Sequence, residues 1–206
     1  MKNLLLATVL LLISSALLAQ NAVKKGDIVI HLAGTDYSDH TYNIDIYKKG
    51  NSTKIVYAYR DSLKGSKVKA DPEYRRIHNN MAKYSSADTK RNPAWDTIGM
   101  IFEKYYAYTR DSITLNLKTD TSYSNLLQHV AKADKAQLTP KIDVIVLDGN
   151  GMIINIITAD KNMQAEVSNP EVKTHPLLVG FIINTLNKDK NSSAVQKIRK
   201  YYIDFR

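Results

Sequence analysis

The chain has 206 residues, 44% of them hydrophobic and 24% charged, which is ample for one packed core and too apolar for a disordered chain. It contains no cysteine, so disulfides, thiolate metal sites, a lipid-bearing cysteine and a cysteine nucleophile are excluded. Lysine and arginine number 29 against 20 acidic residues, a formal net charge of +9, and this excess favours anionic partners such as acidic glycans, acidic proteins or phosphate-bearing lipid.

At the N-terminus, Met1-Lys2 is a short positive segment followed by the apolar run of residues 4–13 and the small residues Ser14, Ser15 and Ala16. The run is shorter than the ~20 apolar residues that span a bilayer, and its flanks are those of a secretory signal. We expect residues 1–19 to be a cleavable signal peptide, cut after Ala16 or Ala19, and residues 20–206 to be exported, to a periplasm or out of the cell. No later stretch is long enough to span a membrane. The apolar residues 177–186 read as a buried helix.

The first third of the exported part predicts strands. Residues 27–33 alternate Ile28, Ile30 and Leu32 against Val29, His31 and Ala33; residues 41–48 carry Tyr42, Ile44 and Ile46 on one face; residues 54–60 carry Ile55, Tyr57 and Tyr59. Period-two alternation broken by polar turns, including Gly50-Asn51-Ser52, signals an antiparallel meander. Residues 61–69 are polar and basic and read as a loop. Asp71-Pro72-Glu73 then opens a helix carrying Tyr74, Ile77, His78, Met81 and Tyr84, because aspartate caps, proline suits the first turn and glutamate complements the dipole. Asn92-Pro93 repeats the device for a helix with Trp95, Ile98, Phe102 and Tyr105 on one stripe, and the polar residues 85–91 connect the two.

Residues 112–118 form the cleanest alternating strand. Asp120 or Thr121 caps a helix bearing Leu126, Leu127, Val130 and Ala131. Residues 142–147 and 152–158 then flank Asp148-Gly149-Asn150-Gly151, which predicts a hairpin placed centrally in the sheet. A polar connection from Asp160 leads to a helix start at Asn169-Pro170-Glu171. After helix 177–186, Ser192 or Ser193 caps a last amphipathic helix with Val195, Ile198 and Tyr202. The fold expected is a single α+β domain, with a mainly antiparallel sheet of about six strands and helices packed on one face.

No segment carries an established catalytic signature. The histidines 31, 40, 78, 129 and 175 stand in no ligand pattern such as His-Glu-x-x-His, and there is no Gly-x-Ser-x-Gly and no phosphate-cradling glycine loop. Residues 160–171 echo a calcium-binding loop, but Ala165 replaces the required glycine and Pro170 intrudes, so no metal and no cofactor is expected. Thr139-Pro140 before the expected hairpin resembles the corresponding segment of thioredoxin-like domains over barely a tenth of the chain; the redox cysteines are missing, so no activity follows.

What remains is a basic belt of Lys64, Lys67, Lys69, Arg75, Arg76, Lys83, Lys90 and Arg91, interleaved with tyrosines. Arginines beside tyrosines suit phosphate or sugar rings through charge and stacking. The expectation is a non-catalytic exported module that binds an anionic or glycan-like ligand or an envelope partner through this belt; export argues against nucleic acid. The alternative is a secreted hydrolase whose site converges only in the fold, with His78, His129 or His175 as acid–base candidates. A structural protein of the envelope is a third reading.

Overall fold

The structure, a computed structural model, describes residues 23–35, 41–80, 93–140, 151–168 and 170–203. In chain order the elements are β1 (Ile28–Thr35), β2 (Thr41–Lys49), β3 (Ser52–Leu63), α1 (Gly65–Ala70), α2 (Pro72–His78), α3 (Pro93–Tyr105), β4 (Tyr106–Asn116), α4 (Thr121–Lys132), α5 (Lys135–Leu138), β5 (Gly151–Ile157), β6 (Asn162–Ser168), α6 (Pro176–Leu186), a 3-10 turn (Asn187–Asp189) and α7 (Ser193–Ile203). The strands form one six-stranded antiparallel sheet in the order β4-β3-β2-β1-β5-β6. This is the α+β architecture that the alternation implied. None of the helices among the described residues is long and apolar enough to cross a membrane.

The chain falls into two compact units. The larger comprises residues up to Tyr59 and from Arg110 onward. Its core follows from the alternation. Ile30 pairs with Ile46 and Ile156, and Leu32 with Ile44 and Ile154, so five of these side chains are fully buried and Leu32 nearly so. They share one hydrophobic cluster with Leu127 and Val130 of α4, Leu178, Phe181 and Ile182 of α6, and Val195 and Ile198 of α7. Each such side chain contributes about 1.5–3 kcal/mol by leaving water. The intervening strand residues Val29, His31, Ala33, Asn43 and Asp45 are half-buried. Gly34 lies opposite Tyr42, and a Cβ there would fall 2.3 Å from the tyrosine ring.

Three polar side chains at the centre of this core, Tyr57, Tyr123 and Thr185, bond with one another and with the α6 backbone. The Tyr57 hydroxyl donates to the Thr185 carbonyl at 2.8 Å, and the Thr185 hydroxyl donates to the Phe181 carbonyl at 2.8 Å. That commits the threonine proton, so the Tyr123 hydroxyl, 3.0 Å from Thr185 Oγ1, is the donor of their bond. Tyr123 also stacks on Phe181 with ring centroids 6.3 Å apart. Burial raises the pKa of both Tyr57 and Tyr123 above the ordinary phenol value. Asp120 caps α4 by accepting from Tyr123 N at 3.2 Å and pairs with Lys188. Ser192, rather than Ser193, caps α7 by accepting from Val195 N at 3.0 Å, and Asp111 of β4 accepts from Ala194 N at 3.0 Å and from the Ser192 hydroxyl at 2.8 Å.

The smaller unit is Arg60–Thr109, which carries the end of β3, α1, α2, α3 and the start of β4. Among the described residues its buried apolar side chains are Val68, Ile77, Ile98 and Ile101. Arg60 is buried too: its guanidinium donates to Glu103 at 2.7 Å and lies 4.1 Å from the centroid of the Tyr106 ring.

Four expectations need correction. Residues 61–69 are not a loop: β3 continues to Leu63 and α1 follows, because the Thr109 hydroxyl donates to Asp61 at 2.6 Å and Lys64 N to the Tyr105 carbonyl at 3.1 Å. Partners distant in sequence override the polar composition here. The strand expected at 112–118 begins at Tyr106, directly after α3. The second arm of the expected hairpin of 142–147 with 152–158 is β5, which has β1 along one edge and β6 along the other as its partners. Residues 141–150 themselves lie outside the described residues. Finally, the polar connection after Asp160 is strand β6, with Ala165 and Val167 buried and Met163 half-buried, and helix α6 begins at Pro176 rather than at 169–171. Of the α3 stripe, Ile98 is buried but Trp95 is 56% exposed, and Ile101 takes the second core position.

Candidate cationic surface and polar pairs

The basic belt falls within the smaller unit. In α1, Val68 alone is buried; Lys64 stands at the N-terminal boundary, and Lys67 and Lys69 project from the last turn. Arg75 of α2 donates to the Ala70 carbonyl at 3.2 Å, which brings a further exposed cation to the same helix end. Positive side chains there complement the negative pole of the helix dipole. Lys64, Lys67 and Lys69 have no carboxylate partner among the described residues.

Arg76 is different. Its guanidinium makes two bonds to the Glu73 carboxylate, at 2.6 and 2.8 Å, and Glu73 is held below the usual glutamate range chiefly by that contact. Its charge is already matched. Lys83, Lys90 and Arg91 lie outside the described residues. Among the described residues, the belt therefore presents Lys64, Lys67, Lys69 and Arg75 as its cations without a carboxylate partner.

Beside the belt, α2 and α3 line an open cavity of about 590 Å³ whose lining includes Asp71, Glu73, Arg76, Met100, Ile101 and Lys104. Asp71 organises it. One carboxylate oxygen accepts from Glu73 N at 2.9 Å and Tyr74 N at 3.2 Å, which caps α2 as its sequence position implied; the other accepts from the Tyr105 hydroxyl at 2.9 Å and from Lys104 at 3.3 Å. The tyrosine hydroxyl, followed by the Tyr74 backbone, holds the Asp71 carboxyl below the ordinary aspartate value. The charges lining the cavity pair with one another. Met100, 67% exposed, adds apolar surface at its rim.

The histidines proposed for acid–base work do not converge. His78 is exposed and stacks on Tyr74 at 5.6 Å, and His129 is exposed on α4. His175, buried ahead of α6, has Nδ1 2.8 Å from the Thr174 hydroxyl, and burial lowers its pKa. His40 lies outside the described residues. The histidine that does meet a carboxylate is His31: its Nδ1 is 2.8 Å from Asp45 Oδ1, both side chains about a third exposed on the sheet face opposite the core. Tyr47 sits edge-on to the imidazole at 5.8 Å, and Asn155 lies opposite His31 on β5. Sequence reasoning missed this pair because proximity depended on register; the β1–β2 alignment that places Ile30 beside Ile46 also places His31 beside Asp45. Among the described residues, no group of three or more acidic or histidine side chains is placed to hold a metal ion.

No protein-family model matches the chain, and no curated protein matches it.

Proposed function

We propose that this protein is an exported, non-catalytic binding module for an anionic partner, an acidic glycan or another envelope component, and that the surface of α1 with Arg75 is where it binds. The observation that carries the reading is that Lys64, Lys67 and Lys69 stand exposed without a carboxylate partner among the described residues while nearby Arg76 and Lys104 are ion-paired. Exposed like charges on a short helix repel one another, and an approaching polyanion relieves that repulsion. The contact is predominantly electrostatic and so weakens steeply with salt. Immobilised acidic polysaccharide is the probe. The wild-type protein is retained at low ionic strength and released on raising it, whereas the K64E/K67E/K69E/R75E variant is not retained. Retention of that folded variant at wild-type salt would eliminate this surface as the contact. Export is tested separately, by N-terminal sequencing of the protein purified from its native cells, which should begin after Ala16 or Ala19.

The second reading is a hydrolase, and the His31–Asp45 contact favours it. A carboxylate bonded to Nδ1 orients an imidazole so that Nε2 can take a proton. This replaces the histidines first considered with a pair on the open sheet face. Turnover of ester or glycoside substrates that disappears in His31→Gln would establish it, and absence of turnover across such a panel leaves the binding module.

A further inference from the structure

A second cavity, of about 550 Å³, lies in the larger unit, where the β2–β3 turn meets the end of β4. Its polar lining is Lys49, Asn51, Ser52, Thr114, Asn116 and Lys118, with Leu115 as the apolar member. Among the described residues no carboxylate lines it, in contrast to the cavity between α2 and α3; the nearby Asp27 carboxylate accepts from Gly50 N at 3.1 Å.

Two turns build this site. Lys49 and Ser52 are paired across a tight connection in which Gly50 adopts φ +57, a left-handed conformation that favours glycine. After β4, the turn is tied by Lys118 N donating to Asn116 Oδ1 at 3.0 Å and by Thr119 N donating to the Asn116 carbonyl at 3.2 Å. Leu117 N donates to the Asn51 carbonyl at 2.8 Å, and Leu117 is buried, so the turns are joined and the lysines that flank them are held to one mouth. The Asn116 amide oxygen is occupied by Lys118 N, which leaves its amide protons for another partner. Lys49 and Lys118 have no carboxylate partner among the described residues, and Asp120, which follows the turn, is paired with Lys188.

We propose that this cavity is a binding site for a phosphate or sulfate group carried on a small molecule. Two ammonium groups supply the charge, and the hydroxyls of Ser52 and Thr114 and the amides of Asn51 and Asn116 supply neutral donors of the kind that surround a tetrahedral oxyanion. A volume of about 550 Å³ far exceeds a bare oxyanion and falls within the range of small-molecule pockets, so it accommodates the carrier as well. This site lies in the larger unit and uses none of the belt residues, so it stands or falls independently of the polyanion reading.

The test is an amide chemical-shift titration of the full chain with inorganic phosphate and with a hexose phosphate, against sodium chloride at matched ionic strength. Saturable shifts are expected at Asn51, Ser52, Asn116 and Lys118, with the hexose phosphate binding at least as tightly as phosphate. The K49A/K118A variant should weaken both by about tenfold or more, the effect of losing charge-assisted contacts. The K64E/K67E/K69E/R75E variant should leave both unchanged while losing the acidic polysaccharide. Shifts that chloride reproduces, or that survive in a folded K49A/K118A protein, would refute the site. Binding of phosphate with exclusion of the hexose phosphate would refute the carrier.

Discussion

Thr185→Val probes how the polar centre of the larger unit is held together. Valine keeps the shape of threonine and removes the oxygen that accepts from Tyr123 at 3.0 Å. Tyr123 is 2% exposed, so its hydroxyl finds no water in exchange, and an orphaned buried donor costs about 1–3 kcal/mol. Tyr123→Phe removes the donor instead; Thr185 Oγ1 still bonds the Phe181 carbonyl, so the cost is about 0.5–1.5 kcal/mol. In the double variant no orphan remains. The two costs should therefore fall short of additive by about 1 kcal/mol. Urea unfolding followed by far-ultraviolet circular dichroism gives the free energies of all four proteins. Tyr57→Phe supplies an internal control, because the Tyr57 hydroxyl bonds the Thr185 carbonyl, which valine retains, so Tyr57→Phe and Thr185→Val should add. Additivity of Tyr123→Phe with Thr185→Val within about 0.3 kcal/mol would refute the assignment of donor and acceptor.

Thr53 is fully buried and its hydroxyl has no partner among the described residues, so Thr53→Val should stabilise the protein by about 1 kcal/mol in the same urea assay. Gly34→Ala places a carbon 2.3 Å from the Tyr42 ring and should cost about 1–3 kcal/mol, a loss relieved when Tyr42 is also shortened to leucine. The raised pKa values of Tyr57 and Tyr123 mean that the folded state holds their protons more tightly than the unfolded state. Their contribution is intact below the ordinary tyrosine value near 10 and is lost as pH rises beyond it, so unfolding free energy should fall above about pH 10, less steeply in Y57F/Y123F. Asp111 is shifted the opposite way, by Ala194 N and then the Ser192 hydroxyl; Asp111→Ala should lower stability by about 1 kcal/mol at neutral pH and flatten the acid limb of the stability profile below about pH 4.

The residues that were legible in the sequence are those whose partners are local or whose pattern repeats. Ile28, Ile30 and Leu32 declared a face by alternation, and Asp71-Pro72 declared a helix start because cap and first turn are adjacent in the chain. β6 escaped because Met163 and Ala165 are weak strand formers set among polar residues, and its burial comes from pairing with β5. The partners of β5 were hidden for a related reason: the glycine-rich turn before it pointed to a neighbour close in sequence, whereas β5 lies between β1 and β6. The belt cations were visible as a list, yet only geometry separated Arg76, matched by Glu73, from the exposed lysines. Both the His31–Asp45 pair and the cavity between Lys49 and Lys118 depend on pairings across strands, which no spacing in the chain reveals.

The position of β1 has a consequence for biosynthesis. Its pairing with β2 can form as soon as the first quarter of the chain has emerged, but its opposite edge waits for β5, in the last third. Until then the growing polypeptide carries an unsatisfied ribbon of amides and carbonyls beside bare isoleucines, the kind of surface that recruits neighbouring chains. Closure across so much intervening sequence is slow. The topology thus gives the nascent chain a long interval in which it is still unclosed, and it makes a holding partner during synthesis a benefit to the yield of native protein.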